Sequence, residues 1–277
     1  MSLLSKIANR LVLCPSTTPV DPGDNRREQI FDSDGIEIEA WVSTWGDFES
    51  APAEQRLVVL KIPGTGGRAE RGTVHPCELM VQPGKQSRFV AAEVWTLNHR
   101  GYGGSTGPAS LENFAPTLEA FWNFIEQKYP TEVKLATGNS LGCISALHLA
   151  ARKDITAILI RNPPSLKRLI SDRPRYNWWN FGMAKHIANQ VPEPLDSLTN
   201  ASIAKCPALI VTSEKDRVVP FKYQQEILDA YLGEIKQFVI EGAEHHHRIP
   251  QHQESEYIAA IEWLHEKLQA SPLSSNR

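Results

Sequence analysis

The chain has 277 residues, of which 41% are hydrophobic and 22% are charged. This composition is typical of a globular protein and excludes a disordered or fibrous chain. Lysine and arginine total 29 and aspartate and glutamate total 32, so the formal net charge of −3 does not point to nucleic acid or an anionic membrane as a partner.

Residues 1–25 are predicted to be an N-terminal segment that is amphipathic at first and then extended. Leu3, Leu4, Ile7 and Leu11 share one face of a helix, and three prolines follow. No run of about 18 apolar residues suits a transmembrane helix, and the first apolar run is too interrupted for a signal peptide. We expect a helix packed on the domain, with peripheral membrane attachment as the alternative.

Strand and helix patterns then alternate along the chain. Residues 28–31 and 36–42 flank an Asp-Gly pair, which predicts a β-hairpin. The short apolar runs that follow are typical of strands buried on both faces of a parallel sheet, and they cover residues 57–62, 91–97, 133–136, 155–160, 208–211 and 237–240. Helical patterns cover residues 111–129, 141–152, 221–232 and 251–268. We therefore predict a doubly wound α/β fold with a mostly parallel central sheet and an antiparallel N-terminal hairpin.

One α/β domain is predicted over residues 26–270, followed by a flexible tail at 271–277. Within it, the proline-rich stretch 163–205 interrupts the alternation of strands and helices. Long insertions of this kind are usually functional, and α/β sheets bind ligands at the carboxyl ends of their strands. We interpret the stretch as a small lid over that edge.

The lid begins with basic residues followed by tryptophans, namely Lys167, Arg168, Arg173, Arg175, Trp178 and Trp179. One hypothesis is that Arg173 and Arg175 attract an acidic substrate head, while Trp178 and Trp179 line the acyl side. The alternative is a solvated basic surface over a small satellite core.

The segment Gly138-Asn139-Ser140-Leu141-Gly142 fits the pattern G-x-S-x-G. A predicted strand leads into it and an Ala- and Leu-rich helix leads out, which is the setting of a nucleophile elbow. The helix N-terminus offers free N–H groups and the positive end of a dipole. Ser140 is therefore the candidate nucleophile, and an ordinary glycine-rich β–α turn is the alternative.

A serine nucleophile needs a base and an acid that orients the base. Asp216 follows the strand predicted at 208–211 and is the candidate acid, with Glu214 as its rival. A role for Asp216 as a simple helix cap is the alternative. The last predicted strand leads to three adjacent histidines, of which His245 is the candidate base and His246 and His247 are rivals. No second cluster of ligands accompanies them, so we predict no metal site.

An oxyanion hole needs two N–H donors aimed at the developing charge. The N–H of Leu141 follows the nucleophile, and the N–H of Thr65 lies in the glycine-rich loop at 63–67 after the third strand. A phosphate-binding loop is the alternative, but this loop matches neither a Walker motif nor G-x-G-x-x-G.

These motifs in this order resemble the α/β-hydrolase superfamily over residues 28–268. The segment Arg100-Gly101-Tyr102-Gly103-Gly104-Ser105 is similar to the R-G-x-G-x-S loop of that family, and Gly242-Ala243-Glu244-His245 is similar to its G-x-x-H ending. With the G-N-S-L-G elbow, the set looks closest to BEM46-like and monoacylglycerol-lipase-like serine hydrolases. The family usually has a histidine where this chain has Pro63, but the expected donor lies two residues later.

The resemblance implies a serine hydrolase that cleaves carboxylic esters through an acyl-enzyme and needs no cofactor. The four widely spaced cysteines predict reduced thiols, hence a cytoplasmic protein. A small lid favours short to medium acyl groups on a small-molecule substrate. A thioesterase, a serine peptidase and a catalytically silent binding protein on the same fold are the alternatives.

Overall fold

A computed structural model describes residues 2–81, 87–172 and 182–271. The strands of these ranges are β1 (Arg26–Phe31), β2 (Glu37–Trp45), β3 (Arg56–Ile62), β4 (Ala91–Leu97), β5 (Val133–Asn139), β6 (Ala157–Arg161), β7 (Ala208–Ser213) and β8 (Ile235–Ile240). Their α-helices are α1 (Leu3–Val12), α2 (Cys77–Met80), α3 (Phe114–Lys128), α4 (Leu141–Arg152), α5 (Leu166–Ser171), α6 (Met183–Ala188), α7 (Ser197–Ile203), α8 (Phe221–Ala230) and α9 (Glu254–Ala270).

The strands form one sheet in the order β1-β2-β4-β3-β5-β6-β7-β8. The pairs β1–β2 and β2–β4 are antiparallel, and the strands from β4 to β8 run parallel. The predicted α/β class, the antiparallel N-terminal hairpin and the mostly parallel sheet are confirmed. Because the carboxyl ends of β3 to β8 meet at one edge, the loops that follow them come together there.

Side chains of each central strand alternate between two hydrophobic cores. In β3, Val58, Leu60 and Ile62 face the core under α3, α4, α7 and α8, whereas Leu57 and Val59 face the core under α2 and α9. Both sets are buried, which explains why the strand is an almost continuous apolar run. The same alternation decides which polar side chains at the strand ends face which side.

A third core joins the N-terminal helix to the lid. Apolar residues of α1, α5 and α6 pack there with Leu141 and Ile144 of α4. The predicted amphipathic helix therefore lies against the lid and the first turn of the helix after Ser140. Among the described residues, no helix is long and apolar enough to cross a membrane.

The element bounds differ from the predicted ones where pairing or capping decides them. β5 continues to Asn139, three residues beyond the predicted end, because Gly138 and Asn139 pair with β6. The predicted helices at 111 and 251 each begin with a 3₁₀ turn, Leu111–Asn113 and Gln251–Gln253, before the α-helix starts.

Candidate active site

Ser140 lies in the turn between β5 and α4, with a backbone φ of +53° and ψ of −118°. A positive φ is uncommon for a residue with a side chain and stores local strain. The Ser140 N–H donates to the carbonyl oxygen of Arg161 in β6 at 2.8 Å. This hydrogen bond ties the turn to the neighbouring strand, and the result is the strand–turn–helix geometry of a nucleophile elbow.

The glycines on either side of Ser140 are required by close backbone contacts. A Cβ at Gly138 would lie 2.4 Å from the carbonyl oxygen of Gly142, and a Cβ at Gly142 would lie 2.0 Å from the carbonyl oxygen of Ile62. Real Cβ atoms do not approach so closely, so only glycine allows α4 to begin directly against β3 and β5.

Asp216 and His245 form a buried pair at the carboxyl ends of β7 and β8. Nδ1 of His245 lies 2.6 Å from Oδ2 of Asp216, and each residue is 5% exposed. Oδ1 of Asp216 accepts hydrogen bonds from the N–H groups of Val218 and Val219, both at 2.8 Å. The carboxylate is thus fixed by its own loop and directs one oxygen at the imidazole.

Glu214, the rival acid, makes a different contact. It is exposed, and its Oε2 accepts a hydrogen bond from the N–H of Gly242 at 2.7 Å. This bond joins the loop after β7 to the loop after β8. Glu214 therefore braces the histidine loop, while Asp216 contacts the histidine itself.

The three adjacent histidines differ in burial and direction. His245 is buried, whereas His246 and His247 are exposed. The ring of His246 meets that of His245 edge-on at 4.7 Å between centroids, and Nδ1 of His247 accepts the N–H of Glu244 at 3.2 Å. Within the described ranges, no group of three or more His, Cys, Asp or Glu residues is placed to hold a metal ion.

A cavity of about 570 Å³ lies over these residues, and we call it the serine cavity. Ser140, His245, Leu141 and Thr65 all line it, which brings the candidate nucleophile, base and oxyanion donors to one space. Other lining residues are mostly apolar: Leu11, Val12, Leu166, Leu169, Ile170, Val218 and Val219. A wall of this kind suits an apolar ligand group.

The N-terminal segment forms part of this wall, which the sequence reasoning missed. Leu11 and Val12 of α1 and the following Cys14 line the serine cavity. The apolar periodicity of α1 indicates a packed face, but it does not show what that face covers. In the structure, the end of α1 lines the same cavity as Leu166, Leu169 and Ile170 of α5, which come from the stretch predicted to be a lid.

The basic cluster of the lid divides into two parts. Lys167 forms an ion pair with Asp196 at 2.7 Å, and Arg168 lies 3.6 Å from Glu226. Both cations therefore have acidic partners within the protein. The other predicted lid residues, Arg173, Arg175, Trp178 and Trp179, lie outside the described residues, and their contact with substrate stays a prediction.

Two further titratable groups near the elbow are withdrawn from solvent. Burial raises the pKa of the Cys143 thiol, whose Sγ contacts the carbonyl oxygens of Gly138 and Arg161. Such a thiol is a structural group and a poor nucleophile. Burial also lowers the pKa of His99 to about 3, and its ring stacks on Phe114 at 3.7 Å between centroids.

A second cavity, of about 400 Å³, lies on the other side of the loop at 63–67. Gly64, Gly67 and Asn139 line both cavities, so this loop and the end of β5 form the wall between them. Lys61, Arg71 and Arg161 also line the second cavity, which we call the cationic cavity. The sequence reasoning missed this cavity. The signal that could have found it is a polar residue near the end of several strands, two positions after a buried apolar residue and therefore on the same face.

Comparisons with known proteins agree with this fold. A family model described as the alpha/beta hydrolase fold matches residues 58–183. The alpha/beta hydrolase domain-containing protein aho-3 of Caenorhabditis elegans is 22% identical over 154 residues, which cover 55% of this chain. The match spans 43% of the length of aho-3, so this chain corresponds to less than half of that relative.

Solved esterases share the architecture at low sequence identity. The Pyrococcus furiosus esterase Pf2001 superposes with a TM-score of 0.65 at 15% identity, over 94% of this chain and 97% of that one. Est1E from Butyrivibrio proteoclasticus, solved with ferulic acid, gives a TM-score of 0.65 at 18% identity, over 87% of this chain and 99% of Est1E. These likenesses establish the fold, while the narrower resemblance to BEM46-like and monoacylglycerol-lipase-like enzymes stays a prediction. The sheet order and these matches together show the α/β-hydrolase fold.

Proposed function

We propose that this protein is a serine hydrolase that cleaves carboxylic esters with short to medium acyl chains. One observation carries the proposal: Ser140, on its elbow, lines the same cavity as His245, and His245 is held by Asp216 at 2.6 Å. Nucleophile, orienting acid and base (Ser140, Asp216 and His245) follow one another along the chain in the order that this fold uses.

In the first half of the proposed reaction, the Ser140 hydroxyl oxygen attacks the acyl carbon of the ester. Nε2 of His245 takes the serine proton, and the carbonyl oxygen becomes an oxyanion that accepts hydrogen bonds from the N–H groups of Leu141 and Thr65. The C–O bond to the alcohol then breaks, and His245 returns the proton to the leaving oxygen. Asp216 holds the imidazole in the tautomer with hydrogen on Nδ1 and stabilises its protonated form.

In the second half, water attacks the acyl-enzyme. His245 accepts a proton from the water and delivers it to Ser140 as the acyl–serine bond breaks, so the free acid is released and the enzyme is restored. Each bond that forms to the acyl carbon is thus matched by a bond that breaks, and the proton that His245 accepts in each half is returned to a leaving oxygen. The proposed mechanism needs no cofactor.

The apolar wall of the serine cavity supports an uncharged acyl group over a charged one. Two acidic lid residues that would favour binding of a peptide amine have other partners: Glu193 pairs with Arg152 at 3.3 Å and Asp196 with Lys167 at 2.7 Å. The structure therefore offers no specific support for a peptidase from these two carboxylates.

We also propose a cytoplasmic location. All four cysteines are free thiols, which suits a reducing compartment. The packing of α1 against α5 and α6 supports a helix that is part of the domain. Peripheral attachment of this segment to a membrane is the alternative.

The test is hydrolysis of p-nitrophenyl esters from acetate to palmitate, with Ser140→Ala. We expect a maximum at a short or medium chain length and a loss of at least about 10³-fold in the variant. Ser145→Ala is the matched control, because Ser145 is buried in the next turn of α4 and does not line the serine cavity. It should keep activity within about twofold.

Three outcomes separate the alternatives. No turnover and no labelling of Ser140 by a fluorophosphonate probe in folded protein would favour a binding role. Labelling without ester turnover would favour a peptidase, and faster turnover of the matched acyl thioesters would favour a thioesterase. Equal activity in Ser140→Ala and wild type would contradict the proposal outright.

A further inference from the structure

The cationic cavity begins where four central strands change from apolar to polar residues on one face. On the face covered by α2 and α9, Leu57 and Val59 of β3 are followed in phase by Lys61. Thr96 in β4, Thr137 in β5 and Arg161 in β6 likewise follow the buried apolar residues of that face. Because side chains alternate along a strand, all four belong to one side of the sheet.

Strand register places three of these residues in one row. Lys61 pairs with Thr96 on one side and with Thr137 on the other, and both threonines are at least 95% buried. Their Oγ1 atoms have no hydrogen-bond partner within the described part of the chain. Buried hydroxyl groups are normally hydrogen-bonded, so two unpartnered ones beside a cation indicate a place prepared for a polar ligand.

No carboxylate in the described ranges forms an ion pair with Lys61, Arg71 or Arg161. Nearby Glu78 and Asp216 raise the pKa of Lys61 and of Arg161 respectively, against the larger opposite effect of burial. Lys61 Nζ donates to the carbonyl oxygen and the hydroxyl of Thr73 at 3.2 and 3.1 Å, and Arg161 donates to the carbonyl oxygen of His247. Neither these two cations nor Arg71 has a carboxylate oxygen within 4.0 Å among the described residues. In contrast, the lining residue Arg68 is paired with Glu70.

The side chain of Arg161 gives the strongest single indication of an anion-binding site. Its Nε is buried and has no hydrogen-bond partner in the described ranges, although guanidinium groups are rarely left with unused donors. Burial lowers the pKa of both Arg161 and Lys61, so each charge is poorly solvated where it stands. The attraction of an anion would compensate these cations for the water that burial removes, and a planar carboxylate matches the donor geometry of a guanidinium.

The rest of the wall selects for an apolar body on that anion. Ile62, Pro76, Leu159, Val211 and Ile249 line the cavity beyond the polar row. A phosphate or a sugar acid would leave this surface without contacts, whereas a hydrocarbon chain or an aromatic ring would cover it.

We propose that the cationic cavity binds a carboxylate with an apolar body, such as a medium-chain fatty acid or an aromatic acid. The carboxylate lies against Arg161 and the Thr96–Lys61–Thr137 row, with Arg71 at the exposed side. Gly64 stands between this site and Ser140, since a Cβ at Gly64 would already lie 2.9 Å from the Asn139 carbonyl oxygen and 3.5 Å from the Ser140 Cβ. The site is therefore a neighbour of the serine cavity, separated from it by one layer of backbone.

The test is calorimetric titration of the purified protein with octanoate and with octanamide, a neutral molecule of nearly the same shape. We expect octanoate to bind at least tenfold more tightly than octanamide. Arg161→Gln and Arg71→Gln should each weaken octanoate binding, the first by at least tenfold and the second by about threefold. Lys236→Gln, which removes an exposed charge from β8, is the matched control and should bind as wild type does.

A pair of space-filling variants locates the site. Ile249→Trp narrows the cationic cavity and should abolish octanoate binding, whereas Val218→Trp narrows the serine cavity and should leave it unchanged. The reverse pattern overturns the proposal, as does equal affinity for octanoate and octanamide, unchanged affinity in Arg161→Gln, or no binding at millimolar octanoate. Thermal unfolding of every variant shows that the fold is intact.

The backbone wall at Gly64 separates this site from Ser140, so the carboxylate is that of a free acid and not the acid end of a substrate whose ester lies at Ser140. The titrations do not depend on the proposed esterase function. A kinetic arm that does depend on it compares methyl octanoate with monomethyl octanedioate: Arg161→Gln should change kcat/KM equally for both, and a loss at least tenfold greater for monomethyl octanedioate would overturn the assignment to a free acid.

Discussion

The two cavities on either side of the loop at 63–67 share part of a wall and differ in charge. The serine cavity has Ser140 and His245 within a mostly apolar surface, and its buried acid is fully engaged by hydrogen bonds. The cationic cavity has cations without carboxylate partners among the described residues, and two unpartnered threonine hydroxyls. In the first, the protein supplies every charge that the proposed chemistry needs. In the second, Lys61, Arg71 and Arg161 supply positive charge that forms no ion pair with a carboxylate of the described residues, which is the expected difference between a reaction site and an anion-binding site.

The largest expected effect is a loss of ester hydrolysis that leaves ligand binding in the cationic cavity unchanged. Asp216→Asn should lower kcat for ester hydrolysis by about 10³- to 10⁴-fold, because the amide no longer holds the His245 tautomer or stabilises its protonated form. Octanoate binding should be unchanged. Stopped-flow or plate-reader kinetics with the preferred p-nitrophenyl ester, and calorimetry with octanoate, measure the two quantities.

Glu214→Gln is the control for this variant. It removes a carboxylate two residues away that bonds to the N–H of Gly242, so kcat should fall by less than about tenfold. A large loss in Glu214→Gln with little loss in Asp216→Asn would exchange the roles of the two acids.

The next effect concerns the backbone contacts on which the elbow and the shared wall depend. Gly142→Ala should reduce the free energy of unfolding by about 1–3 kcal/mol or more, because its Cβ would meet the Ile62 carbonyl oxygen at 2.0 Å. Gly66→Ala, in the wall loop, should stay within about 0.5 kcal/mol, since no atom lies within 4 Å of its Cβ. Urea denaturation of both variants tests the contrast, and equal stability would show that α4 is free to shift away from β3.

The smallest effect is a pH dependence next to the same wall. His99 contacts a small space bounded by Pro63, Gly64 and Leu141, and burial lowers the pKa of its ring to about 3. The folded protein thus binds fewer protons than the unfolded chain below the ordinary histidine pKa of about 6.5. The stability that this difference provides is complete above pH 6.5 and declines toward pH 3, on the order of 1.4 kcal/mol per pH unit.

His99→Leu should remove this contribution. Urea unfolding at pH 7.5, 6.0 and 5.0 should show a smaller decline for the variant than for wild type. His252→Gln replaces an exposed histidine and should reproduce the wild-type decline. Parallel curves for wild type and His99→Leu would mean that His99 is protonated in the folded protein or has solvent access.

Much of the fold was predictable because the information is local. Apolar runs of strand length between amphipathic helices determine the α/β class, and the G-x-S-x-G segment places Ser140 at a strand–helix junction. The order of Ser140, Asp216 and His245 then follows from loops at the carboxyl ends of successive strands. Their catalytic roles remain part of the proposal.

The cationic cavity was not predictable from the sequence, because it depends on register. Lys61, Thr96 and Thr137 lie far apart in the chain, and each is a single polar residue near a strand end. Only the pairing of β3 with β4 and β5 puts them side by side. The contact of α1 with the serine cavity was not predictable for a similar reason. Apolar periodicity predicts that one face of the helix is buried, but it does not predict which residues that face packs against.

Arg161 performs two separable tasks, and this separation has a consequence for how the protein can be altered. Its carbonyl oxygen secures the turn at Ser140, whereas its side chain lines the cationic cavity and donates to the carbonyl oxygen of His247. Every amino acid has that carbonyl oxygen, so exchanging the side chain at this position leaves the anchoring bond available. Position 161 is therefore a place where ligand preference can be redesigned while the Ser140 turn keeps its anchor, and a new side chain that also bonds to the His247 carbonyl oxygen keeps the histidine loop in place.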